Sequence, residues 1–428
     1  MNKEKVFIVS LGCPRNSVDS QILVASVIES GKYEIVFEPK NADHYVINTC
    51  AFIGPAVEES IEHIGEALKL RKKGIVKNVI VTGCLAERFK DDPEYLRGID
   101  LIRGIDLYDD PGTFFRKKDK FIFGSRDRLY AGCPRAFAEG EHYAYLKIAE
   151  GCSRKCAFCL IPEIKGKLRS KTVKEVLREA EELQRMNITE LILIAQDTTD
   201  YGKDISGRSA LLELLSQIDK CGFKWVRVHY MNPDTTDRRF VEKFMSFNTI
   251  LPYFDIPLQH VSPRILKLMR RPCDMEELKM AFRLIKDSGG EIRTSFITGY
   301  PSETEAEHDM VKGFLEEFSI GRCAVFPFFD ENNLVRSLNL EPVPPKTASK
   351  RIAELEEIIT NMIYLTFPES RKEKVIVDGF IEGAYRGRTF RDSPGIDLSL
   401  KLKGKGIKKG DIVKAVLKIK DGEFIGEV

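Results

Sequence analysis

The sequence predicts an α/β protein in three parts: an N-terminal parallel α/β domain (1–135), a central (β/α) barrel, full or partial (136–366), and a small antiparallel β-barrel (367–428). Three observations carry this. Short β-branched runs alternate with helical stretches before residue 110 and again between 143 and 327, which implies parallel sheets. An Asn- and Pro-rich stretch (332–346) and one long helix (347–365) then break the pattern. Beyond residue 368 come only short β segments separated by glycine, the habit of a small OB-like barrel.

Strands are predicted at 6–10, 35–37, 45–48 and 79–82, with helices at 17–30 and 55–72. The start of the chain imitates a short signal ending at Cys13, but its apolar run is brief and Gly12 breaks it, so it reads as a buried first strand. Cys13, Cys50 and Cys84 each follow a strand, at the C-terminal ends where open α/β sheets form their ligand crevice. Gly12 and Gly83 free the backbone to turn just before two of them. Singly, each cysteine could be a small buried hydrophobe, the common fate of a free thiol. Three in the same place relative to three parallel strands point instead to an iron–sulfur cluster with one iron left open.

The central part begins with a strand at 143–149 that delivers Gly151-Cys152-Ser153-Arg154-Lys155-Cys156-Ala157-Phe158-Cys159, spaced C-x3-C-x2-C. Three thiolates in one turn of chain can hold three corners of a four-iron cluster and leave the fourth free. A closed zinc site wants four ligands, and the nearest further candidate is His142, ten residues upstream. A disulfide does not persist in a reducing cytosol, the compartment expected here.

Helices and strands then alternate at 173–186, 190–195, 211–221, 225–229, 238–245, 253–256, 264–269, 275–288, 291–298, 305–318 and 323–327. Such a barrel carries its site at the C-terminal face. The polar residues Gln196, Asp197, His229, Gln259, His260, Ser295 and Thr298, at strand ends, are expected to open onto it, about half touching a ligand and the rest capping helices or turning loops. Cys133, Cys221, Cys273 and Cys323 have no such companions and read as structural.

The β segments of the C-terminal part are predicted at 374–377, 379–382, 387–390, 398–402, 412–419 and 424–428. Over 371–428 fourteen Lys and Arg face nine Asp and Glu, a net +5, in a chain whose 67 basic and 65 acidic residues leave only +2. The whole molecule is therefore no electrostatic nucleic-acid binder, although the basic tail could contact phosphates. An apolar share of 43% with 31% charged residues is that of a globular protein, and no run reaches the length of a membrane span.

At these residues the chain resembles the radical S-adenosylmethionine (SAM) methylthiotransferases. The loop from Gly151 to Pro162, followed by Lys165-Gly166-Lys167-Leu168-Arg169-Ser170, is similar to their signature, and the three-part plan, ending in a TRAM domain, matches along essentially the whole chain. One branch of that family acts on an adenosine of tRNA and another on an aspartate of the twelfth protein of the small ribosomal subunit. Ser10-Leu-Gly-Cys13-Pro-Arg-Asn16-Ser-Val-Asp19-Ser20 resembles the second, the first having Gln-Met in place of Pro14-Arg15; residues 48–60 and Gly83-Cys84-Leu85 point the same way. Gln21 stands where the family has Glu, and Phe328-Phe329 where it has Tyr-Ser.

The resemblance implies two 4Fe-4S clusters, on Cys152, Cys156 and Cys159 and on Cys13, Cys50 and Cys84, and two molecules of SAM. On this resemblance the first cluster would bind SAM and supply a radical able to take hydrogen from the unactivated β-carbon of the aspartate, chemistry no side-chain base can perform. The second would hold an exogenous sulfur, to be methylated by a second SAM before transfer. On this resemblance the catalytic cysteines would be Cys152, Cys156 and Cys159. SAM contacts are expected from Phe158, Gln196 and Gln259, then from Gly166, Arg169 and Gly299. Phe158 also reads as an aromatic that keeps water out, and Gly299 to Glu303 as a plain turn before a helix.

The implied partners are the ribosomal-protein substrate, free or in the ribosome, a reductant protein, and RNA at the basic C-terminal domain, with no membrane and a cytoplasmic setting. Two other readings stand beside this one. A tRNA adenosine methylthiotransferase would use the basic tail. An iron–sulfur electron-transfer protein would leave a barrel-sized domain with polar strand ends unexplained.

Overall fold

The computed structural model describes residues 3–428 apart from Pro93, Glu139 and Asn332, so the first residue of the Asn- and Pro-rich stretch lies outside the described residues. The chain divides into two compact units. The first takes Met1–Ala138, Lys147–Val176 and Ile194–Gln196; the second takes Glu139–Leu146, Leu177–Leu193 and Asp197–Val428.

In the first unit the described residues form a parallel sheet in the order β2-β1-β3-β4-β5-β6. Its strands are β1 (Glu4–Ser10), β2 (Tyr33–Ile35), β3 (His44–Thr49), β4 (Asn78–Gly83), β5 (Leu101–Arg103) and β6 (Phe121–Ile122). β3 is buried along its whole length, as a central parallel strand covered on both faces must be. The helix Pro14–Glu29 starts directly after Cys13 with proline in its first turn, where a missing N–H costs nothing. The helix Gly54–Lys72 ends in Lys69, Arg71 and Lys72, which complement the negative end of its dipole.

Ile47, Val79, Val81, Leu85 and Ile102 pack in one apolar cluster with Leu160 and Ile164, which follow the C-x3-C-x2-C loop. Each such side chain contributes about 1.5–3 kcal/mol on burial, so the loop is anchored to the N-terminal sheet by its own flanking residues. β7 (Tyr143–Lys147) leads into β8 (Ala149–Glu150), and β8 pairs antiparallel with β9 (Arg169–Ser170), closing the segment that carries the loop.

The second unit holds β10 (Glu190–Ile194) up to Leu193, β11 (Trp225–Val228), β12 (Tyr253–Asp255), β13 (Glu291–Thr298) and β14 (Arg322–Pro327). Among the described residues they form, with β7, two three-stranded sheets, β11-β10-β7 and β12-β13-β14, and Val226 also bridges in parallel to Ile250, three residues before β12. The predicted barrel is thus partial. After the helix Pro345–Thr366 the strands β15 (Lys372–Ile381), β16 (Ala384–Arg388), β17 (Leu400–Lys403), β18 (Ile412–Lys420) and β19 (Glu423–Glu427) close a barrel in the order β15-β16-β17-β19-β18. Four pairings are antiparallel, and β17 with β19 closes the ring in parallel.

One expectation is corrected here. The segments predicted at 374–377 and 379–382 are a single strand, β15, whose register shifts between Val377 and Gly379. The glycine, at φ 136°, marks a bulge and not an end. The bulge frees Asp378 from the ladder, and its carboxylate accepts from Arg388 Nε at 3.0 Å and lies 2.8 Å from His142 Nε2.

Asp378 belongs to a buried ionic network that fixes the β-barrel within the second unit. Arg388 Nη1 lies 2.7 Å from Glu190, whose other oxygen accepts from Arg227 at 2.8 Å. Arg322 pairs with Asp392 at 2.8 Å, and Arg293 with Asp255 at 3.0 Å and Asp397 at 3.3 Å. Three of the tail's acidic residues are thereby spent on buried pairs, which leaves its exposed surface more basic than its composition.

Candidate functional site

Cys13, Cys50 and Cys84 stand where β1, β3 and β4 end. Cys13 is the extended residue before the helix Pro14–Glu29, Cys50 follows Thr49, and Cys84 opens the short helix Cys84–Arg88. Gly12 has φ 81°, and a Cβ there would lie 2.6 Å from Cys50 Cβ and 2.8 Å from its Sγ. At Gly83, φ 91°, a Cβ would meet the Thr49 backbone nitrogen at 2.7 Å. Both positions admit glycine alone, because the conformation is left-handed and the space is taken.

Asn16, fully buried, ties the three strand ends together. Its Nδ2 donates to Leu11 O at 3.1 Å and to Thr49 O at 2.8 Å, and its own carbonyl accepts from Asn48 Nδ2 at 3.0 Å. The Cys84 thiol donates to Asn16 Oδ1 at 3.9 Å. Ser60 holds Cys50 from the other side, accepting from its N–H at 3.1 Å and donating to its carbonyl at 2.7 Å.

The thiols differ electrostatically. Burial pushes Cys84 up to about 12 and raises Cys50 as well. At Cys13 burial also acts upward, but the Arg15 charge, the Asn16 N–H and Lys165 outweigh it, and the thiol is lowered. Any metal held by these three would therefore have to displace protons from at least Cys50 and Cys84.

The C-x3-C-x2-C loop is shaped by its backbone. Cys152 N donates to Gly166 O at 3.1 Å and Cys159 N to Cys156 O at 3.1 Å, while Arg154 N donates to Cys152 Sγ at 3.4 Å. Gly151 has φ 76°, and a Cβ there would stand 2.7 Å from Gly166 O. Gly166, φ 79°, ends the helix Ile161–Lys165, and Arg169 Nη2 donates to Lys165 O at 3.1 Å. Phe158 is half-buried, and burial pushes the Cys159 thiol up to about 12.

Among the described residues no three Cys, His, Asp or Glu side chains converge on one metal ion. A four-iron cluster takes one thiolate per iron and so spreads its ligands, and two sets of three thiols with no fourth suit such a group with an open iron.

A buried charged group that the sequence reasoning missed accompanies the cysteines. Lys147 Nζ lies 2.5 Å from Asp19 Oδ1 and 2.7 Å from Glu150 Oε2. Burial works against its charge, but the two carboxylates outweigh it and raise Lys147, while Lys147 and Lys165 hold Glu150 low against its own burial. Gln196 Nε2 donates to Glu150, so this predicted SAM contact is engaged through its nitrogen, while its Oε1 is buried without a partner. Arg169 Nε is orphaned in the same way. Arg15 Nη1 donates to Ala195 O at 2.9 Å, and its charge acts on both Cys13 and Cys159. The available signal was Lys147 and Glu150 themselves, two charges in the apolar run 143–150.

Gln259 and Gly299 belong to the second unit. Gln259 takes φ 74°, rare for a side chain of that size, while its N–H donates to Ser295 O and its carbonyl accepts from Ile297 N, both at 2.8 Å. Gly299, φ 75°, donates its N–H to Glu303 Oε2 at 2.5 Å, and a Cβ there would lie 2.9 Å from Ala348 Cβ.

Three strand-end residues expected to open onto the barrel face are held in internal bonds. Asp197 caps the turn Thr198–Asp200 and accepts from Asn232 at 3.1 Å. His229 Nε2 lies 3.0 Å from Ser393 Oγ, and His260 Nδ1 accepts from Ser262 N at 2.9 Å. Ser295 and Thr298 are buried, and the Thr298 hydroxyl has no partner. Gln21 accepts from Arg135 Nε at 3.2 Å, and the Phe328 ring meets Tyr300 edge-on at 4.9 Å. Cys133 lies 3.8 Å from Asp109 Oδ2, and Cys221, Cys273 and Cys323 each bond a nearby backbone carbonyl.

Residues 146–314 match the family model of the Radical SAM superfamily, and residues 5–104 that of the uncharacterized protein family UPF0004. The chain is 38% identical over 426 residues to the ribosomal protein uS12 methylthiotransferase RimO of Thermoanaerobacter sp. (strain X514), covering 97% of each. It is 35% identical over 425 residues to the protein of that name from Thermotoga maritima, covering 97% of this chain and 98% of that one. Among solved structures, the radical SAM methyltransferase TsrM from Kitasatospora setae superposes with a TM-score of 0.55 at 13% identity, over 76% of this chain and 75% of that one, a likeness of fold alone.

Proposed function

This chain belongs to the RimO family of radical-SAM methylthiotransferases, and from that premise we propose that it inserts a methylthio group at the β-carbon of an aspartate of ribosomal protein uS12, with two 4Fe-4S clusters and two molecules of SAM. The observation that carries this reading is that both cysteine sets fall in one compact unit, with the Arg15 guanidinium acting on members of each. Cys152, Cys156 and Cys159 would hold the SAM-binding cluster, and Cys13, Cys50 and Cys84 the cluster that carries sulfur. When bound, these groups supply a carbon radical able to break an unactivated C–H bond and the sulfur that replaces the hydrogen.

The protein's part is binding and orientation. Gln196 Oε1 and Arg169 Nε, buried without partners, offer an acceptor and a donor to a polar ligand such as SAM, and Phe158 and Gly166 are the other contacts expected in the same unit. Gln259 and Gly299 are the further contacts that the family resemblance implies. Asn16 and Ser60 position the N-terminal thiols, and burial around Cys50, Cys84 and Cys159 keeps water from the thiolates. By role we divide the chain at 1–135, 136–366 and 367–428, a division that does not coincide with the two compact units. The basic surface of the last suits RNA near the substrate in the ribosome, and a separate reductant protein supplies electrons. Among the described residues no helix is long and apolar enough to cross a membrane, and a ribosomal substrate sets the work in the cytoplasm.

The test is a competition. Reconstituted protein, SAM, sulfide and a reductant meet unmodified tRNA and uS12 in one anaerobic tube, and each is analysed by mass spectrometry. A methylthio group on one aspartate of uS12 is expected. Its appearance on adenosine would overturn the substrate and leave the cluster assignment standing.

A further inference from the structure

Lys165, the last residue of the helix Ile161–Lys165, is 2% exposed, yet its Nζ has no hydrogen-bond partner. Asp19 Oδ2 lies 3.6 Å away, and the other oxygen of that carboxylate is bonded to Lys147 at 2.5 Å. Glu150 is engaged by Lys147 and Gln196. A buried ammonium with unused donors is costly unless something meets it. What it faces is shown by its neighbours. Its helix packs against the helix Cys84–Arg88, with Ile164 and Leu85 in one apolar cluster, and its charge acts most on Glu150, then on Cys84 and Asp19, and also on Cys13.

We propose that Lys165 is the positioning residue for a small anionic sulfur ligand, hydrosulfide or methanethiolate, at the Cys13, Cys50 and Cys84 centre. This rests on reading those three cysteines as a cluster with an iron that no protein thiolate occupies. A ligand there is necessarily exogenous, and an anionic sulfur needs a counter-charge and a donor that the three thiolates cannot supply. The ammonium is a compact point charge with three donors, which suits a small spherical anion, whereas a planar carboxylate would favour the fork of an arginine. Lys147, bonded to two carboxylates, has no such freedom.

The test isolates that centre by replacing Cys152, Cys156 and Cys159 with Ala in the full chain. After anaerobic reconstitution the protein should carry about four irons. Methanethiolate is then titrated into the reduced protein and the EPR spectrum of the cluster followed. Adding Lys165→Gln is expected to keep the iron and raise the Kd for methanethiolate by about tenfold or more, the loss of one charge-assisted contact. Lys165→Arg should recover most of the affinity. Unchanged affinity with iron retained overturns the proposal. If Lys165→Gln fails to hold iron, Lys165→Met, which keeps the packed stem, is judged by the same criterion; iron lost from both assigns Lys165 to holding the cluster and overturns the proposal as well. A triple-Ala parent without iron refutes the second cluster itself, a separate outcome.

Discussion

Cys50 is seated on the peptide of Gly12. No side chain at residue 12 could coexist with it, since even a Cβ would come within 2.6 Å of Cys50 Cβ. The close approach brings the end of β3 against the residue before Cys13, so a glycine in the first strand's exit is part of the geometry of two cysteines.

Gly12→Ala should therefore act on metal loading more than on the fold. It imposes a left-handed alanine, a cost of about 1–2 kcal/mol, and displaces Cys50 as well. Iron should fall from about eight to about four per chain while far-UV circular dichroism keeps the wild-type shape. Full loading would show that Cys50 does not need this seat.

The cysteine sets should separate in function. Cys156→Ala should abolish SAM cleavage, followed as 5′-deoxyadenosine by chromatography. Cys50→Ala should still form 5′-deoxyadenosine but no methylthio product. Thiolation by Cys50→Ala would contradict the division of tasks.

Lys147 is bonded to two buried carboxylates, Asp19 and Glu150. Removing its charge leaves Asp19 only the longer Lys165 contact and Glu150 the Gln196 amide, and breaking a buried pair costs up to about 3–5 kcal/mol. Lys147→Met should lower Tm by several degrees, and Lys147→Met with Asp19→Asn should recover part of the loss. An unshifted Tm in the single variant would mean that water reaches the pair.

His229 gives the second unit an acid sensitivity. Burial, then the charges of Arg227 and Arg293, hold its pKa down to about 3 from an ordinary 6.5, against weaker upward pulls from Asp397 and Glu190. Above pH 6.5 the ring is neutral whether the chain is folded or unfolded, and it contributes no pH dependence. Between 6.5 and about 3 the unfolded chain binds one more proton, so stability falls by about 1.4 kcal/mol per pH unit. In His229→Gln this contribution should vanish, so the Tm difference between the two proteins should be constant above pH 7 and change steadily below 6 in the variant's favour. Parallel curves would place the titration elsewhere.

Most elements and the candidate cysteine sets were legible in the chain, although β5 and β6 were not. Cysteine spacing within one loop is local, and parallel strands announce themselves as β-branched runs, so Cys152, Cys156 and Cys159 and the ends of β1, β3 and β4 could be placed from the chain alone. Gly379 was legible as a glycine but not as a bulge, because only the partner strand β16 shows whether the ladder stops or shifts. His229 was legible as a strand-end polar residue, yet its bond to Ser393 spans 164 positions. The tertiary structure alone decided the charges. Lys147 meets Asp19 across 128 residues, and whether a lysine is solvated, paired or left facing thiols depends on burial and on distance in space, which no local pattern encodes.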